Sequence, residues 1–264
     1  MYAIPSVLIA LALFVSLLLA IEAGYRLGER HRRDDATKAH VNTISGALLG
    51  VLALLLGFTF SLALQRHDAR SAAVVDEANA IGTAQLRAQL LPAPFAAQAQ
   101  ATLADYVALR IAAGAVGLQR EAERAARGRE ALALQQRLWA QAVAAAQADA
   151  SPVRSGLYLQ ALNDLIDAQG AREAALARHV PELVLWLLYG TFVLAGSSVG
   201  FAAGLGGHRA AFVSYVLVGL IVLLVFVIVD LDRPRRGLIA VDQSPLQALQ
   251  PSVPAAAGGA AGAP

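Results

Sequence analysis

Four stretches of this chain carry no charged side chain over a length that can cross a lipid bilayer. They cover residues 4–21, 41–64, 183–207 and 210–229. A helix needs about 20 apolar residues to cross a hydrocarbon core about 30 Å thick. Because a chain of 264 residues is too small to bury four such helices in a soluble core, the sequence predicts a helical integral membrane protein with four spans.

Composition supports this prediction and excludes several other classes. The chain is 57% hydrophobic, whereas soluble domains contain about 45–50% apolar residues. The net charge is only +2, which does not favour nucleic acid as a partner. The sequence contains no cysteine, so disulfides, thiolate chemistry and cysteine-bound metals are excluded.

The positions of the spans divide the chain into four regions. Residues 1–65 form a first transmembrane hairpin, and residues 181–236 form a second one. Residues 66–180 between them are rich in Ala, Gln, Arg and Leu, which are mostly strong helix formers. We therefore expect an all-α protein with a long extramembrane helical domain, followed by a partly disordered tail over residues 237–264.

The helical domain is expected to contain four helices, because Gly and Pro residues interrupt its helical pattern. The predicted helices cover residues 66–91, 95–113, 118–149 and 152–179. In the last of them, Tyr158, Leu162 and Leu165 fall on one face, as packing against neighbouring helices requires. Arg172 is assigned to the polar positions outside that face.

The distribution of basic residues predicts an orientation. The loop over residues 26–38 carries five basic side chains, and Arg209 follows the third span. Under the positive-inside rule these two loops lie in the cytoplasm. The helical domain and the C-terminus are then expected on the outer side of the membrane.

Charged residues cluster where the second and fourth spans end. The predicted cluster contains Arg66, His67, Asp68, Arg70, Asp76, Glu77, Asp230, Asp232 and Arg233. Opposite charges at a membrane boundary are expected to pair. The cluster is interpreted as a structural clasp of arginine and acidic side chains, with an ion-entry vestibule or a ligand site as the alternative.

Two patterns in the second span bear on helix packing. Gly46, Gly50, Ala53, Gly57 and Ser61 are spaced by three or four residues, which favours close helix contacts. A separate row of large apolar residues recurs every four residues, at Leu54, Phe58 and Leu62. This row is interpreted as core-packed or lipid-facing, with a hydrophobic pore gate as the alternative.

The third span contains the small-residue run 196–200, whose sequence is Gly-Ser-Ser-Val-Gly. The run suits a tight helix crossing or a water path. It also matches the G-x-S-x-G pattern of hydrolases, which requires a strand-to-helix turn and is not expected inside an apolar span. With five scattered histidines and no Glu-x-x-His pair, we expect no catalytic site, no cofactor and no metal site.

Two segments of the chain resemble the signatures of a known bacterial family. The first consists of LLGFTFSLAL at 55–64, RHDAR at 66–70, VDEANAIGTA at 75–84 and LRAQLLP at 86–92. The second is DLDRPRRG at 230–237, and it is followed by Pro245-Leu246. Together they resemble the bestrophin-like domain proteins, and the resemblance covers the whole chain except the tail. It implies a multi-pass protein of the bacterial inner membrane.

The looser likeness to true bestrophins implies a specific architecture. Bestrophins are pentameric anion channels in which the second span lines the pore through a hydrophobic neck. The resemblance therefore implies Leu54, Phe58 and Leu62 as neck candidates, with small anions and further copies of the chain as partners. Calcium-binding bestrophins carry a dense acidic run after the fourth span, whereas only Asp230 and Asp232 occur here, so no calcium site is expected.

Two functions are compatible with the sequence. The first is an oligomeric inner-membrane protein that conducts small anions. The alternative is a non-conducting membrane scaffold or sensor whose helical domain binds a partner.

Overall fold

The structure is a computed structural model that describes residues 5–31, 35–115, 121–207, 209, 212–233 and 239–250. All regular secondary structure in these residues is helical. The helices are α1 (Ser6–Arg30), α2 (Asp35–Ala88), α3 (Phe95–Ala115), α4 (Glu121–Ala148), α5 (Leu157–Ala177), α6 (Glu182–Gly206), α7 (Phe212–Leu231) and α8 (Ser244–Gln247). One π-helical turn, Pro152–Gly156, precedes α5. The all-α prediction is confirmed.

Four of the helical segments are long and apolar enough to cross a membrane. They are Ser6–Arg30, Ala39–Ala88, Pro152–Gly206 and Ser214–Leu231. These segments hold the four uncharged stretches of the sequence, except for a few positions at their ends. The described residues therefore contain four helices able to span a membrane, the number that the sequence predicts.

The chain forms two compact units. The first contains residues 1–69 and 176–240, and the second contains residues 70–175 and 241–264. Helix α2 contributes to both units, since the division falls within it. Each unit has a hydrophobic core of its own.

In the first unit, α1 packs mainly against α6 and also against α7. Leu13 and Leu17 of α1, Leu52 of α2, Phe192 of α6 and Val218 of α7 all lie buried in its core. Large apolar side chains on the outer surfaces of α1, α6 and α7 remain exposed. Exposed apolar surface on helices of this length is the expected lipid-facing surface of a membrane bundle.

The crossing of α1 and α6 brings the two backbones into direct contact. An added Cβ atom at Gly24 would lie 2.1 Å from the Ser197 carbonyl oxygen, and one at Gly204 would lie 2.2 Å from the Tyr25 carbonyl oxygen. Only glycine permits this approach, as in other small-residue crossings of membrane helices. The run at 196–200 therefore belongs to a tight helix crossing, one of the two interpretations that its sequence allows.

A hydroxyl pair joins α2 to α6 within the same unit. The Oγ atoms of Ser45 and Ser198 lie 2.7 Å apart, and Ser45 is buried. A hydrogen bond between helices in an apolar environment contributes about 1 kcal/mol. Ser198 thus anchors α2, whereas Gly196 and Gly200 of the same run face α1.

The second unit is a bundle of α3, α4, α5, the end of α2 and the C-terminal segment. Its core is rich in alanine, which lets the helices approach closely, and larger side chains such as Leu103, Tyr106, Leu138 and Tyr158 fill the remaining space. The predicted fourth domain helix begins with the π-helical turn and becomes regular only at Leu157.

Part of the C-terminal tail packs on this bundle. Leu246 of α8 is fully buried in the core, and Val241 and Leu249 pack against it. An added Cβ atom at Gly82 of α2 would lie 3.3 Å from the Leu249 side chain. Residues 239–250 of the tail that is predicted to be partly disordered therefore belong to the fold, while its residues 251–264 lie outside the described residues.

Candidate functional site

One face of α2 in the first unit is exposed and has no packing partner among the residues that the structure describes. Its positions repeat every three or four residues and are all exposed; they are Ala47, Gly50, Leu54, Phe58, Ser61, Gln65 and Asp68. We call this set the outer face of α2. Leu54 and Phe58 are 59% and 65% exposed, whereas Leu62, the third predicted neck residue, is half-buried and lies off this face.

The glycines of α2 are not explained by contacts within the chain. An added Cβ atom at Gly46, Gly50 or Gly57 would meet no atom within 4 Å. The small-residue pattern of the second span therefore serves no helix crossing inside the described part of one chain. It contrasts with Gly24 and Gly28 of α1 and with Gly200 and Gly204 of α6, which are needed where those two helices meet.

The polar end of the outer face carries a single carboxylate. The Asp68 side chain is 69% exposed, and its Oδ1 atom lies 3.5 Å from Nδ1 of the neighbouring His67, whose side chain is only 20% exposed. Nε of Arg66 and Nε2 of His67 are buried and find no hydrogen-bond partner among the described residues. The Asp68 carboxylate is therefore much more exposed than the two basic side chains before it.

The two acidic residues at the C-terminal end of α7 are buried in the first unit. The Asp230 carboxylate accepts a hydrogen bond of 3.0 Å from the Ile239 backbone N–H, and the Asp232 carboxylate accepts one of 3.1 Å from the Val180 N–H. Asp232 also lies 3.7 Å from the His179 ring. These contacts fix the chain before α6 and after α7.

Arg233, which directly follows Asp232 in the sequence, is also buried. Its guanidinium donates a hydrogen bond of 3.2 Å to the Ser6 hydroxyl at the start of α1. The charged end of the fourth predicted span is therefore tied to the first helix of the unit. Sequence reasoning selected Arg233 but did not identify Ser6.

The second unit contains Arg70, Asp76 and Glu77 of the predicted clasp. Asp76 is exposed, whereas Arg70 is buried and donates a hydrogen bond of 3.3 Å to the Ala175 carbonyl. Glu77 is fully buried. The pairing of the predicted clasp as a whole stays a prediction.

Glu77 lies at the centre of a buried ionic network. Its Oε1 atom accepts a bond of 2.5 Å from Nε of Arg110 on α3, and its Oε2 atom accepts one from Arg172 on α5. Arg172 also donates a bond of 2.6 Å to the Gln243 side chain in the C-terminal segment. One carboxylate thus joins α2, α3 and α5, and Arg172 extends the network to the C-terminal segment.

The electrostatics of Arg110 follow from this pairing. Burial alone lowers the pKa of its guanidinium, but the Glu77 carboxylate outweighs burial and raises that pKa above its ordinary value. A second carboxylate, Glu173, lies 3.8 Å away. Arg110 is therefore held in its charged form, as a buried ion pair requires.

A neutral hydrogen-bonded group adjoins the ionic network. The Gln135 side chain donates a bond of 3.3 Å to the Tyr106 hydroxyl and also bonds to Gln169, whose amide donates one of 2.6 Å to Glu173. Burial raises the pKa of Tyr106 to about 12. These contacts satisfy polar groups at the centre of the second unit.

Sequence reasoning missed most of this network. Arg172 was assigned to the polar positions of α5, which is wrong, because the residue is only 3% exposed. Its spacing of seven residues from Leu165 places it on the buried face and could have revealed it. Arg110 likewise follows Leu103 by seven residues on the packed face of α3.

No metal site is apparent in the portions of the chain that the structure describes. No group of three or more His, Asp or Glu side chains there is arranged to hold a metal ion. The arrangement instead offers two features, an unpartnered membrane-helix face and a buried structural network. The outer face of α2 is the candidate functional site.

Comparison with known proteins supports the membrane assignment. The family model of the Bestrophin-like domain matches residues 8–246, nearly the whole chain. No curated protein and no solved structure matches this sequence. The match covers the helical domain and, apart from Ser6 and Val7, all four helices that are able to span a membrane. The chain therefore belongs to the bestrophin-like domain family.

Proposed function

We propose that this protein is a homo-oligomeric ion channel of the bacterial inner membrane, in which the outer face of α2 from each subunit lines the conduction path. The observation that carries the proposal is that this face is exposed, contains small and polar residues, and has no partner within the described chain. Membership of the bestrophin-like family supports a channel-like role. The resemblance to bestrophins implies small anions as the permeant ions.

The composition of the outer face distinguishes it from a lipid-facing surface. The exposed surface of α7 is made mostly of large apolar side chains such as Phe212, Val216, Leu220 and Leu223, with Gly219 as its exposed glycine. The outer face of α2 instead carries Ala47 and Gly50 before its two large apolar residues and Ser61 after them. Small residues on membrane helices favour contacts between helices over contacts with lipid.

Leu54 and Phe58 supply a hydrophobic constriction in this arrangement. Both side chains project from the helix and are more than half exposed. A ring of such side chains around a narrow axis gates ion flow by excluding water. Gly50 and Gly57 allow the helices to approach each other closely around that axis.

Reconstitution into liposomes tests the channel proposal. We expect halide flux, reported by an encapsulated halide-sensitive dye, or cation flux, reported by a cation-sensitive dye, above that of empty vesicles. Phe58→Ala should increase the flux, because it widens the constriction, and the matched control Leu220→Ala on α7 should leave it unchanged. Absence of both fluxes in the wild type would overturn the proposal.

A second candidate function has one observation in its favour. Trp139 of α4 is 39% exposed, with exposed Leu132 and Val143 close to the same side of the helix. Exposed aromatic residues are enriched at protein interfaces. A non-conducting scaffold or sensor would bind a partner through this surface and would be a monomer or dimer by mass photometry.

A further inference from the structure

The charge of the outer face of α2 bears on which ions the channel passes. Between Ala39 and Ala69 no arginine or lysine side chain of α2 is exposed. Asp68, whose side chain is 69% exposed, is the carboxylate on this face. Each subunit therefore presents a negative charge and no exposed arginine or lysine along this stretch of helix.

The nearby basic groups do not cancel this charge at the surface. Arg66 is half-buried and lies away from the outer face, with its Nε atom buried. His67 lies 3.5 Å from Asp68, but its own side chain is only 20% exposed. Asp68 is therefore the most exposed charged or titratable group among these three neighbouring residues.

We propose that Asp68 is the charge-selecting residue of the channel, so that monovalent cations pass in preference to anions. This inference rests on the proposed function and replaces the anions that the family resemblance implies. A closed oligomer repeats Asp68 once per subunit and so forms a ring of carboxylates. Such rings raise the local concentration of cations and repel anions in cation channels.

Asp68 lies beyond the apolar part of the outer face. Ten residues of helix separate it from Phe58, which corresponds to about 15 Å at 1.5 Å per residue. The carboxylate therefore lies at the end of the proposed constriction and not within it. At that position it selects ions by charge without the cost of placing a carboxylate in the apolar part of the path.

Reversal potentials measured across a planar bilayer with a KCl gradient test this inference. We expect the wild type to reverse near the potassium equilibrium potential. Asp68→Asn should lower the permeability ratio of potassium to chloride severalfold, and Asp68→Arg should invert it. The control Asp105→Asn removes an exposed carboxylate from α3 and should leave the ratio unchanged.

The outcomes separate this inference from the proposed function. Wild-type reversal at the chloride equilibrium potential would overturn the role of Asp68 and leave the channel intact. If the two Asp68 variants kept the wild-type permeability ratio of potassium to chloride, and size-exclusion chromatography showed normal assembly, the role of Asp68 would likewise be overturned. A wild-type protein that conducts no ion would instead overturn the proposed function itself.

Discussion

Gly200 of α6 lies against the backbone of Ile21 in α1, so closely that a Cβ atom at position 200 would come within 2.0 Å of the Ile21 carbonyl oxygen. The contact joins backbone to backbone, and no side-chain rotation can relieve a clash there. Gly24, Gly28 and Gly204 make the same kind of approach along this crossing. The first unit therefore depends on two glycine-rich helix faces.

Gly200→Ala is expected to destabilise the protein. The new methyl group must push α1 and α6 apart, and overpacking of this kind costs about 1–3 kcal/mol. Thermal unfolding of the purified protein in detergent, followed by circular dichroism, measures the effect. Gly190→Ala on the same helix is the matched control, because its Cβ atom would meet nothing within 4 Å. Equal stability of the two variants would contradict the backbone contact.

Glu77→Gln should destabilise the second unit strongly. The substitution leaves two buried guanidinium groups, Arg110 and Arg172, without their shared carboxylate, and breaking a buried ion pair costs about 3–5 kcal/mol. The neighbouring Asp76→Asn removes an exposed carboxylate and should have little effect. Thermal unfolding in detergent compares the stability of the two variants. If Glu77→Gln lost little stability, the Glu77 carboxylate would not be central to the second unit.

Stability at alkaline pH should depend on Tyr106. Its folded-state pKa is raised to about 12 from an ordinary value of 10.0, so the folded state holds the proton more tightly than the unfolded state. The resulting stability is fully present below pH 10, and it is lost as pH rises from 10 to 12. The loss is about 2–3 kcal/mol.

Denaturation measured across this pH range tests the role of Tyr106. Tyr106→Phe should reduce the alkaline loss of stability. Some of the loss should persist in that variant, because burial also raises the pKa of Tyr158. If the stability of Tyr106→Phe fell with rising pH by the same amount as that of the wild type, the pKa of Tyr106 would not be raised by burial.

The C-terminal segment should detach when its buried anchor is truncated. Leu246→Ala removes a fully buried side chain from the core of the second unit, at a cost of about 2–5 kcal/mol. Faster cleavage around residues 241–250 in limited proteolysis is the expected result. Gln247→Ala in the same helix changes an exposed residue and should be cleaved at the wild-type rate.

The sequence predicts features that depend on neighbouring residues better than features that depend on residues far apart in the chain. The spans follow from local hydropathy, so their number is predicted correctly. The network of Glu77 joins residues 33 and 95 positions apart in the chain, and no local pattern pairs them. Sequence reasoning therefore selected Glu77 but neither of its arginine partners.

The glycines show the same limit. The run at 196–200 is recognisable as a close-packing surface from its small residues alone. Gly24, which meets Ser197 of this run, and Gly28, which meets Phe201 just beyond it, lie in a helix where single glycines carry no clear signal. The pattern in α2 is as regular as that in α6, yet it has no partner within the described chain. Composition predicts that a face permits close contact, but it does not identify the contacting surface.

Cysteine cross-linking tests most directly whether the outer face of α2 meets other copies of the chain. The natural sequence contains no cysteine, so single substitutions report on one position without background. Phe58→Cys on α2 and Leu220→Cys on α7 replace side chains that are 65% and 55% exposed. In oxidised membranes, Phe58→Cys should form covalent dimers between subunits, whereas Leu220→Cys should remain monomeric. Covalent dimers of Leu220→Cys, with none from Phe58→Cys, would contradict the account.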